Sequence, residues 1–334
     1  MIQGSQPATT LDDGIVATAE AGLGSVGQAR EAIHKVIFGQ KQVVDLALVT
    51  ILAGGHGLLV GLPGLAKTKM VETLGTVLGL DARRVQFTPD LMPSDILGTE
   101  ILDEDADRHR SFRVVKGPVF TQLLMADEIN RASPRTQSAL LQAMQENFVS
   151  VAGERHDLPR PFHVLVTQNP IEQEGTYPLP EAQLDRFLLE IDVGYPDRAA
   201  ERRILIETTG VDEHKPVAVM STEALLTAQR LVRRLPVGDA VVDAILDLVR
   251  AARPEGGDPA LEGKLLWGPG PRASQALTLA VRARALIEGR VAPSIADVKA
   301  LAEPVLKHRM ALSFAARADG ETISGLIAQL AGKL

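Results

Sequence analysis

Residues 58–68 constrain the fold of this 334-residue chain more than any other stretch. A short apolar run ends in a turn that contains glycines, and Lys67 and Thr68 then begin a segment with helical periodicity. This order of strand, loop and helix is typical of a loop that binds nucleoside-triphosphate phosphates. The alternative is a Gly/Pro turn that binds nothing. The predicted phosphate-binding residues are Gly61, Leu62, Pro63, Gly64, Leu65, Ala66, Lys67, Thr68 and Lys69.

The residue types of this loop indicate its chemistry. Gly61 and Gly64 let the backbone turn tightly and bring its N–H groups close to phosphate oxygens. Lys67 can place a positive charge on the β and γ phosphates, and the Thr68 hydroxyl can bind Mg²⁺. Ala66 departs from the general pattern, which has a second glycine at this place.

A second apolar run, residues 122–127, ends in two acids, Asp127 and Glu128. A buried carboxylate needs a partner, and Mg²⁺ is a suitable one. We expect Asp127 to hold the ion through its water shell and Glu128 to orient and polarise the attacking water. Taken alone, such a run is more often just the end of a strand. Together with the phosphate-binding loop it indicates hydrolysis of ATP or GTP.

The order of apolar runs predicts two domains. Strand-like and helical patterns alternate from about residue 30 to 193, which favours a doubly wound parallel α/β core at 28–195. Helical patterns dominate afterwards and predict an all-helical domain at 196–334. Residues 1–27 are small and polar and are interpreted as a disordered leader. The candidate strands are 58–61, 84–88, 122–127, 163–167 and 187–193.

The composition excludes several classes of function. The chain has no cysteine, which excludes disulfides, cysteine zinc sites and thiol catalysis and fits a cytoplasmic protein. A net charge of −7 and an aromatic content of 3% argue against a general nucleic-acid-binding surface. The most apolar window, 46–60, is too short and too interrupted to span a bilayer, so we expect no direct membrane insertion.

Two further polar positions distinguish among nucleotide-binding proteins. Asn169 follows another apolar run and could reach the γ-phosphate or the attacking water, although an Asn-Pro turn is the alternative. Arg186 precedes the last predicted strand. It is either an ordinary surface ion-pair residue or an arginine finger that neutralises charge on a neighbouring subunit's nucleotide.

Five segments occur in a fixed order: 61–68 (GLPGLAKT), 126–132 (ADEINRA), 166–170 (VTQNP), 181–187 (EAQLDRF) and 271–274 (PRAS). Together they resemble the MoxR family of AAA+ ATPases. The resemblance runs from about residue 33 to 312, and alanine at position 66 is usual in that family. It implies a AAA+ P-loop NTPase core followed by a helical lid, assembled as a ring that is usually a hexamer.

The resemblance also implies a role for each matching residue. Lys67 and Thr68 match the end of the Walker A motif, and Asp127 and Glu128 match Walker B. ATP and Mg²⁺ are the implied cofactors, with Thr68 and Asp127 on the metal.

Three arginine and amide positions complete the implied site. Asn169 matches sensor 1, Arg272 at the start of a lid helix matches sensor 2, and Arg186 matches the arginine finger. Gly39 and Gln40 resemble the turn beside adenine, which favours ATP over GTP.

Two insertions are implied as well: a helix-2 insert at about 98–120 and a hairpin before sensor 1 at about 147–161. In related rings such elements face the central pore and move with the nucleotide, which would bring them to the client. The alternative is a pair of surface hairpins with solvated charge.

The implied function is a ring chaperone, driven by ATP hydrolysis, that remodels or matures a client protein complex. A separate protein with a von Willebrand factor A domain is the implied partner. One alternative is a related AAA+ motor acting on DNA or in metal-chelatase chemistry, which DNA-stimulated turnover would favour. The other is a nucleotide-dependent scaffold that does not hydrolyse, and the presence of Glu128, Asn169, Arg186 and Arg272 opposes it.

Overall fold

The computed structural model describes residues 13–104, 110–171, 175–209 and 215–334. The strands are β1 (Gly57–Gly61), β2 (Ala82–Gln86), β3 (Gly98–Glu104), β4 (Arg110–Lys116), β5 (Leu123–Asp127), β6 (Phe148–Val151), β7 (Glu154–Asp157), β8 (His163–Gln168), β9 (Leu189–Val193), β10 (Leu265–Trp267) and β11 (Ala311–Leu312). The helices are α1 (Asp13–His34), α2 (Lys41–Leu52), α3 (Lys67–Leu78), α4 (Pro93–Leu97), α5 (Pro134–Glu146), α6 (Glu181–Leu184), α7 (Arg198–Thr208), α8 (Thr222–Arg234), α9 (Asp239–Ala251), α10 (Pro271–Ile287), α11 (Ile295–Leu306), α12 (Phe314–Ala318) and α13 (Ile323–Gly332).

A parallel sheet with the strand order β2-β5-β8-β1-β9 forms the centre of the core. Val60 of β1 lies opposite Gln168 of β8, and Gln86 of β2 lies opposite Asp127 of β5. Because all five strands run in one direction, the residues that follow their carboxyl ends lie along the same edge of the sheet. The predicted phosphate-binding loop and both acids are at this edge.

Each face of the sheet is covered by its own hydrophobic core. Leu58 and Leu124 belong to one core, together with buried residues of α5. Leu59 and Met125, their neighbours in sequence, belong to the other, together with α2 and α3. Since consecutive strand residues point to opposite faces, the near-continuous apolar runs arise because both faces are buried. The doubly wound α/β core is confirmed.

The helical domain shares the second of these cores. Buried residues of α8, α9, α10, α11 and α13 form one cluster with α1, α2, α3 and that face of the sheet. The domain also contains a short antiparallel ribbon in which β10 pairs with β11, so it is not built from helices alone. Continuous apolar packing therefore fixes how the helical domain sits on the core.

The chain is already helical at Asp13, so the expected disordered leader at 1–27 is wrong for residues 13–27. Residues 1–12 lie outside the described part. Val26, Ala29 and Ile33, which are three and four positions apart, are buried in the core that α1 shares with α3, α8 and α10. The alanines in this stretch favour a helix, and tertiary packing stabilises it despite the glycines.

The most apolar window of the sequence, 46–60, forms the end of α2 and most of β1. Nine of the twelve residues of α2 are buried, because the helix packs between the sheet and the helical domain. Among the described residues, no helix combines the length and the apolar character needed to cross a membrane.

Antiparallel hairpins lie at both expected insertions. In the first, β3 pairs with β4, and Leu102 faces Phe112 with both side chains more than half exposed. In the second, β6 pairs with β7 through a turn at Ala152 and Gly153, which both have positive φ. The polar turn expected at 103–108 falls partly on residues 105–109, outside the described part.

Two neighbouring histidines, the partly buried His56 and the buried His163, lie at the amino-terminal end of the sheet, and His163 contacts α8. His56 Nδ1 accepts from the Val164 N–H at 3.0 Å, so its Nε2 carries the proton and faces the Met144 carbonyl at 3.2 Å. His163 Nδ1 lies 2.9 Å from the Gly55 carbonyl, and its Nε2 lies 2.9 Å from the Gln229 amide. Burial lowers the pKa of His56 to about 3 and the pKa of His163 to about 4.

This pair predicts a loss of stability in mild acid. The folded-state pKa values lie below the ordinary histidine pKa of 6.5, so the free energy of unfolding is highest above about pH 6.5. It should fall as the pH drops from there towards 4, by about 1.4 kcal/mol per pH unit for each histidine. Urea unfolding at a series of pH values measures this slope. His163→Gln removes one titrating group and should make the slope shallower; an unchanged slope would contradict the assignment.

Candidate functional site

A cleft of about 510 Å³ opens at the carboxyl edge of the sheet, between the loop after β1 and the ends of β2, β5 and β8. Its size suits a small-molecule ligand. The structure therefore brings the Walker A residues together with Asp127, Glu128 and Asn169, as the sequence predicts. The lining residues are Pro63, Gly64, Leu65, Ala66, Lys67, Thr68, Lys69, Arg84, Gln86, Asp127, Glu128 and Asn169.

The backbone of the loop explains its glycines and its alanine. A Cβ atom on Gly61 would lie 2.4 Å from the Val193 carbonyl oxygen, so the loop can leave β1 only without a side chain there. Gly64 has a φ of 80° in open space. Ala66 has a φ of 56°, a conformation that costs an L-residue about 1–2 kcal/mol. The loop thus keeps at Ala66 the left-handed turn that glycine would adopt without strain.

Helix α3 begins at Lys67, directly after the phosphate loop. The N–H groups of its first turn have no partner within the helix and are available to an anion at this end. Lys67 Nζ donates to the carbonyls of Gly61 at 2.5 Å and Leu62 at 3.2 Å, so the side chain folds back over the loop. Burial lowers the pKa of the Lys67 ammonium, while the nearby carboxylates of Asp127 and Glu128 act in the opposite direction. A phosphate group in the cleft would meet a cation and a helix N-terminus together.

Asp127 is buried at the end of β5, and both its oxygens have partners. Oδ1 accepts from the Thr167 hydroxyl at 2.5 Å, and Oδ2 accepts from Arg84 Nη2 at 2.6 Å and Nε at 3.1 Å. The Thr167 hydroxyl in turn accepts from the Glu128 N–H at 2.8 Å. These contacts hold the Asp127 carboxylate in one orientation.

Glu128 follows Asp127 with a φ of 56°, which turns its side chain out of the strand direction. Its Oε2 accepts from Gln86 Nε2 at 2.8 Å and from Arg131 Nη1 at 3.1 Å. The second carboxylate is therefore directed by one residue of the neighbouring strand and one of the single 3₁₀ turn that follows, Ile129–Arg131.

Asn169 is buried just beyond β8, beside the end of β1. Its Oδ1 accepts from the Ile171 N–H at 3.2 Å, so the residue also forms the turn expected of an Asn-Pro pair. The turn holds Asn169 at the wall of the cleft.

The oxygen donors in the cleft suit Mg²⁺. The Thr68 hydroxyl and the Asp127 carboxylate are hard ligands, and the ion usually takes only one or two protein ligands beside phosphate and water. Thr68 and Asp127 would hold the ion.

Arg186 and Arg272 lie at a different place from the cleft. They line a second cavity of about 280 Å³, between the end of α6 and the start of α10. Arg272 Nη1 lies 3.6 Å from Asp185 Oδ2, and Asp185 Oδ1 accepts from the buried Arg309 Nε at 2.8 Å. Arg186 has no ion pair with any residue that the structure describes. The structure thus places both arginines together and not beside the chain's own phosphate loop.

Gly39 and Gln40 form the joint between the core and α7. Gln40 Nε2 donates to the Gly194 carbonyl at 2.8 Å. Gly39 has a φ of 72°, and a Cβ atom there would lie 2.6 Å from the Cβ of Ala200. The expected contact of this turn with adenine stays a prediction.

Sequence reasoning missed four residues that contact the two acids: Arg84, Gln86, Arg131 and Thr167. Arg84 and Gln86 are two positions apart on the edge strand β2, so they share one face. Two polar residues with this spacing next to an acidic strand were the available signal.

Two family models and several known proteins are similar to this chain. Residues 56–189 match the family model described as ATPase family associated with various cellular activities (AAA), and residues 262–330 match the AAA lid domain. The chain is 44% identical to Chaperone MoxR1 of Mycobacterium tuberculosis over 86% of this chain and 76% of that protein. It is 32% identical to the protein MoxR of Paracoccus denitrificans over 85% and 88%.

A solved structure gives the same result for the fold. The crystal structure of a candidate ATPase from Cytophaga hutchinsonii superposes with a TM-score of 0.89 at 35% identity, covering 96% of this chain and 98% of that one. The chain belongs to the MoxR family of AAA+ ATPases.

Proposed function

We propose that this protein is an ATP-hydrolysing ring chaperone that uses Mg²⁺ and remodels or matures a client protein complex in the cytoplasm. The main support is that the predicted catalytic residues lie at two separate places in the chain. Lys67, Asp127, Glu128 and Asn169 share one cleft, while the cations of Arg186 and Arg272 surround a separate cavity. Such a half-site is complete only when a second copy supplies its arginines.

Within the cleft, each side chain has a defined task in hydrolysis. Bound Mg²⁺ would neutralise charge on the β and γ phosphates. Lys67 exchanges its loop carbonyls for phosphate oxygens, and the first turn of α3 adds N–H donors. Glu128, held by Gln86 and Arg131, orients and polarises the attacking water. Asn169 lies at the wall beside β1 and contacts the γ-phosphate or that water.

The second cavity supports catalysis in trans. Arg186 lies in the short turn between α6 and β9, and Arg272 is the second residue of α10. Asp185 lies 3.6 Å from Arg272 and also binds Arg309, which leaves the Arg272 cation only partly neutralised. The pair presents positive charge towards the neighbouring nucleotide as the phosphoryl group leaves.

A chaperone role fits a relative that carries that name and the exposed hairpins of the core. Leu102 and Phe112 form an apolar pair on the β3–β4 hairpin, and such a pair suits transient contact with a client protein. A separate protein with a von Willebrand factor A domain would link the ring to its client, and the ring would contain six copies.

Turnover and particle mass, measured together over a range of protein concentrations, test this function. We expect specific ATPase activity to rise as the ring forms, because each site needs a neighbour. Arg186→Ala should assemble yet hydrolyse little. Concentration-independent turnover by a monomer would contradict the ring mechanism, and stimulation by DNA would favour a DNA motor.

A further inference from the structure

Arg84 makes a two-donor contact with the carboxylate that is proposed to hold the metal. Its Nη2 and Nε both donate to Asp127 Oδ2, at 2.6 and 3.1 Å, and Nη2 also donates to Gln86 Oε1 at 2.7 Å. The other oxygen of Asp127 is taken by the Thr167 hydroxyl at 2.5 Å. Three protein hydrogen bonds thus take most of the acceptor capacity of Asp127.

A guanidinium and a hydrated Mg²⁺ ion compete for this carboxylate. Asp127 carries one negative charge, and a divalent ion beside Arg84 would place like charges a few ångströms apart. Because the ion's water shell also donates to Asp127 and the ion repels the guanidinium, we expect the Arg84 hydrogen bonds to Oδ2 to weaken or break when the metal binds.

A nucleotide in the cleft would offer Arg84 another partner. Its side chain is 45% exposed and lines the same cleft as Lys67 and the phosphate loop. A planar guanidinium binds phosphate oxygens through two parallel hydrogen bonds, which replaces the pairing that it loses.

We propose that Arg84 is a nucleotide-binding residue that exchanges Asp127 for the phosphate chain when Mg²⁺ binds. This inference rests on the proposed nucleotide site and adds a residue to it. Without nucleotide, Arg84 keeps Mg²⁺ away from Asp127. With nucleotide, the phosphates draw Arg84 away and the carboxylate becomes available, so the metal and the nucleotide enter together.

The neighbouring residue provides a matched control. Arg83 lies on the same edge strand, is exposed to a similar extent at 49%, and pairs with Asp81 at 3.8 Å. It points to the opposite side of the strand and does not line the cleft. Arg83→Gln therefore removes the same charge from the same strand without touching Asp127.

The experiment measures two affinities in the unchanged chain, Arg84→Gln, Arg84→Lys and Arg83→Gln. The first is the affinity for Mn²⁺ without nucleotide, from the free-ion signal in electron paramagnetic resonance. The second is the affinity for the hydrolysis-resistant analogue AMPPNP in EDTA, from calorimetry. Particle mass and melting temperature show that each variant folds and assembles.

Opposite shifts are expected in Arg84→Gln. Mn²⁺ should bind on the order of tenfold more tightly, because a competing cation is gone. Metal-free AMPPNP should bind on the order of tenfold more weakly, because a phosphate ligand is gone. Arg84→Lys, which keeps the charge, should change both affinities less, and Arg83→Gln should change neither.

Two results would overturn the inference: a loss of both affinities in Arg84→Gln, which indicates damage to the strand edge, or equal shifts in Arg83→Gln, which indicate net charge alone. A different failure belongs to the proposed function. If the unchanged chain did not bind AMPPNP even with Mg²⁺, the nucleotide site itself would be wrong, and the role of Arg84 with it.

Discussion

Glu128→Gln is expected to lower ATP turnover by about a hundredfold or more while ATP stays bound and the ring stays assembled. The neutral amide cannot polarise the attacking water, yet it has nearly the shape of the carboxylate and can still pair with Gln86 or Arg131. Lys67→Ala should abolish both turnover and ATP-supported assembly, because it removes the cation that lies over the phosphate loop. Phosphate release and light scattering measure the two properties.

A surface acid of the adjacent helix is the control. Glu72 is exposed on α3 and does not line the cleft, so Glu72→Gln should hydrolyse ATP as the unchanged chain does. Wild-type turnover in Glu128→Gln or Lys67→Ala would show that hydrolysis takes place without this cleft.

The position of the cleft could be predicted from the sequence because it depends on few assumptions. Lys67, Asp127 and Asn169 each follow an apolar run, and parallel strands bring such residues to one edge whatever the order of the strands. The same runs predict burial on both faces, which the alternation of Leu58 and Leu59 between two cores confirms.

Contacts that depend on strand order could not be predicted in this way. Arg84 reaches Asp127 across 43 residues of sequence only because β2 pairs directly with β5. Helix α1 is a similar case, since Val26 and Ile33 are buried against helices that follow much later in the chain. Local composition carries no information about such partners, so the small residues before position 28 were interpreted as disordered.

The place of Arg272 depends on how the helical domain docks. Its sequence match identifies a sensor but not which nucleotide it senses. The packing of α10 on α2 and the ion pair with Asp185 place Arg272 beside Arg186. Under the proposed function, the shared position suits two arginines that serve one nucleotide, and their separation from the cleft suits a nucleotide held by the next subunit.

Mixed rings test that implication. Glu128→Gln keeps Arg186 but has an inactive cleft, whereas Arg186→Ala keeps an intact cleft but lacks the finger. Neither variant should turn over ATP alone. When equal amounts are mixed before assembly, a site is competent if its cleft comes from one variant and its arginine from the other. Random assembly then gives about a quarter of the wild-type turnover, whatever the number of subunits.

A second mixture with the same overall composition makes the result decisive. It combines the unchanged chain with a chain that carries both substitutions, in equal amounts. If Arg186 acts on the neighbour, the cleft and the arginine of a site still come from two different chains that assemble at random. This mixture then also gives about a quarter of the wild-type turnover. If Arg186 acts within its own chain, the mixture gives about half, while the mixture of single variants gives nothing. Equal turnover in the two mixtures therefore assigns the finger to the neighbour, and any turnover confined to the second mixture rejects it.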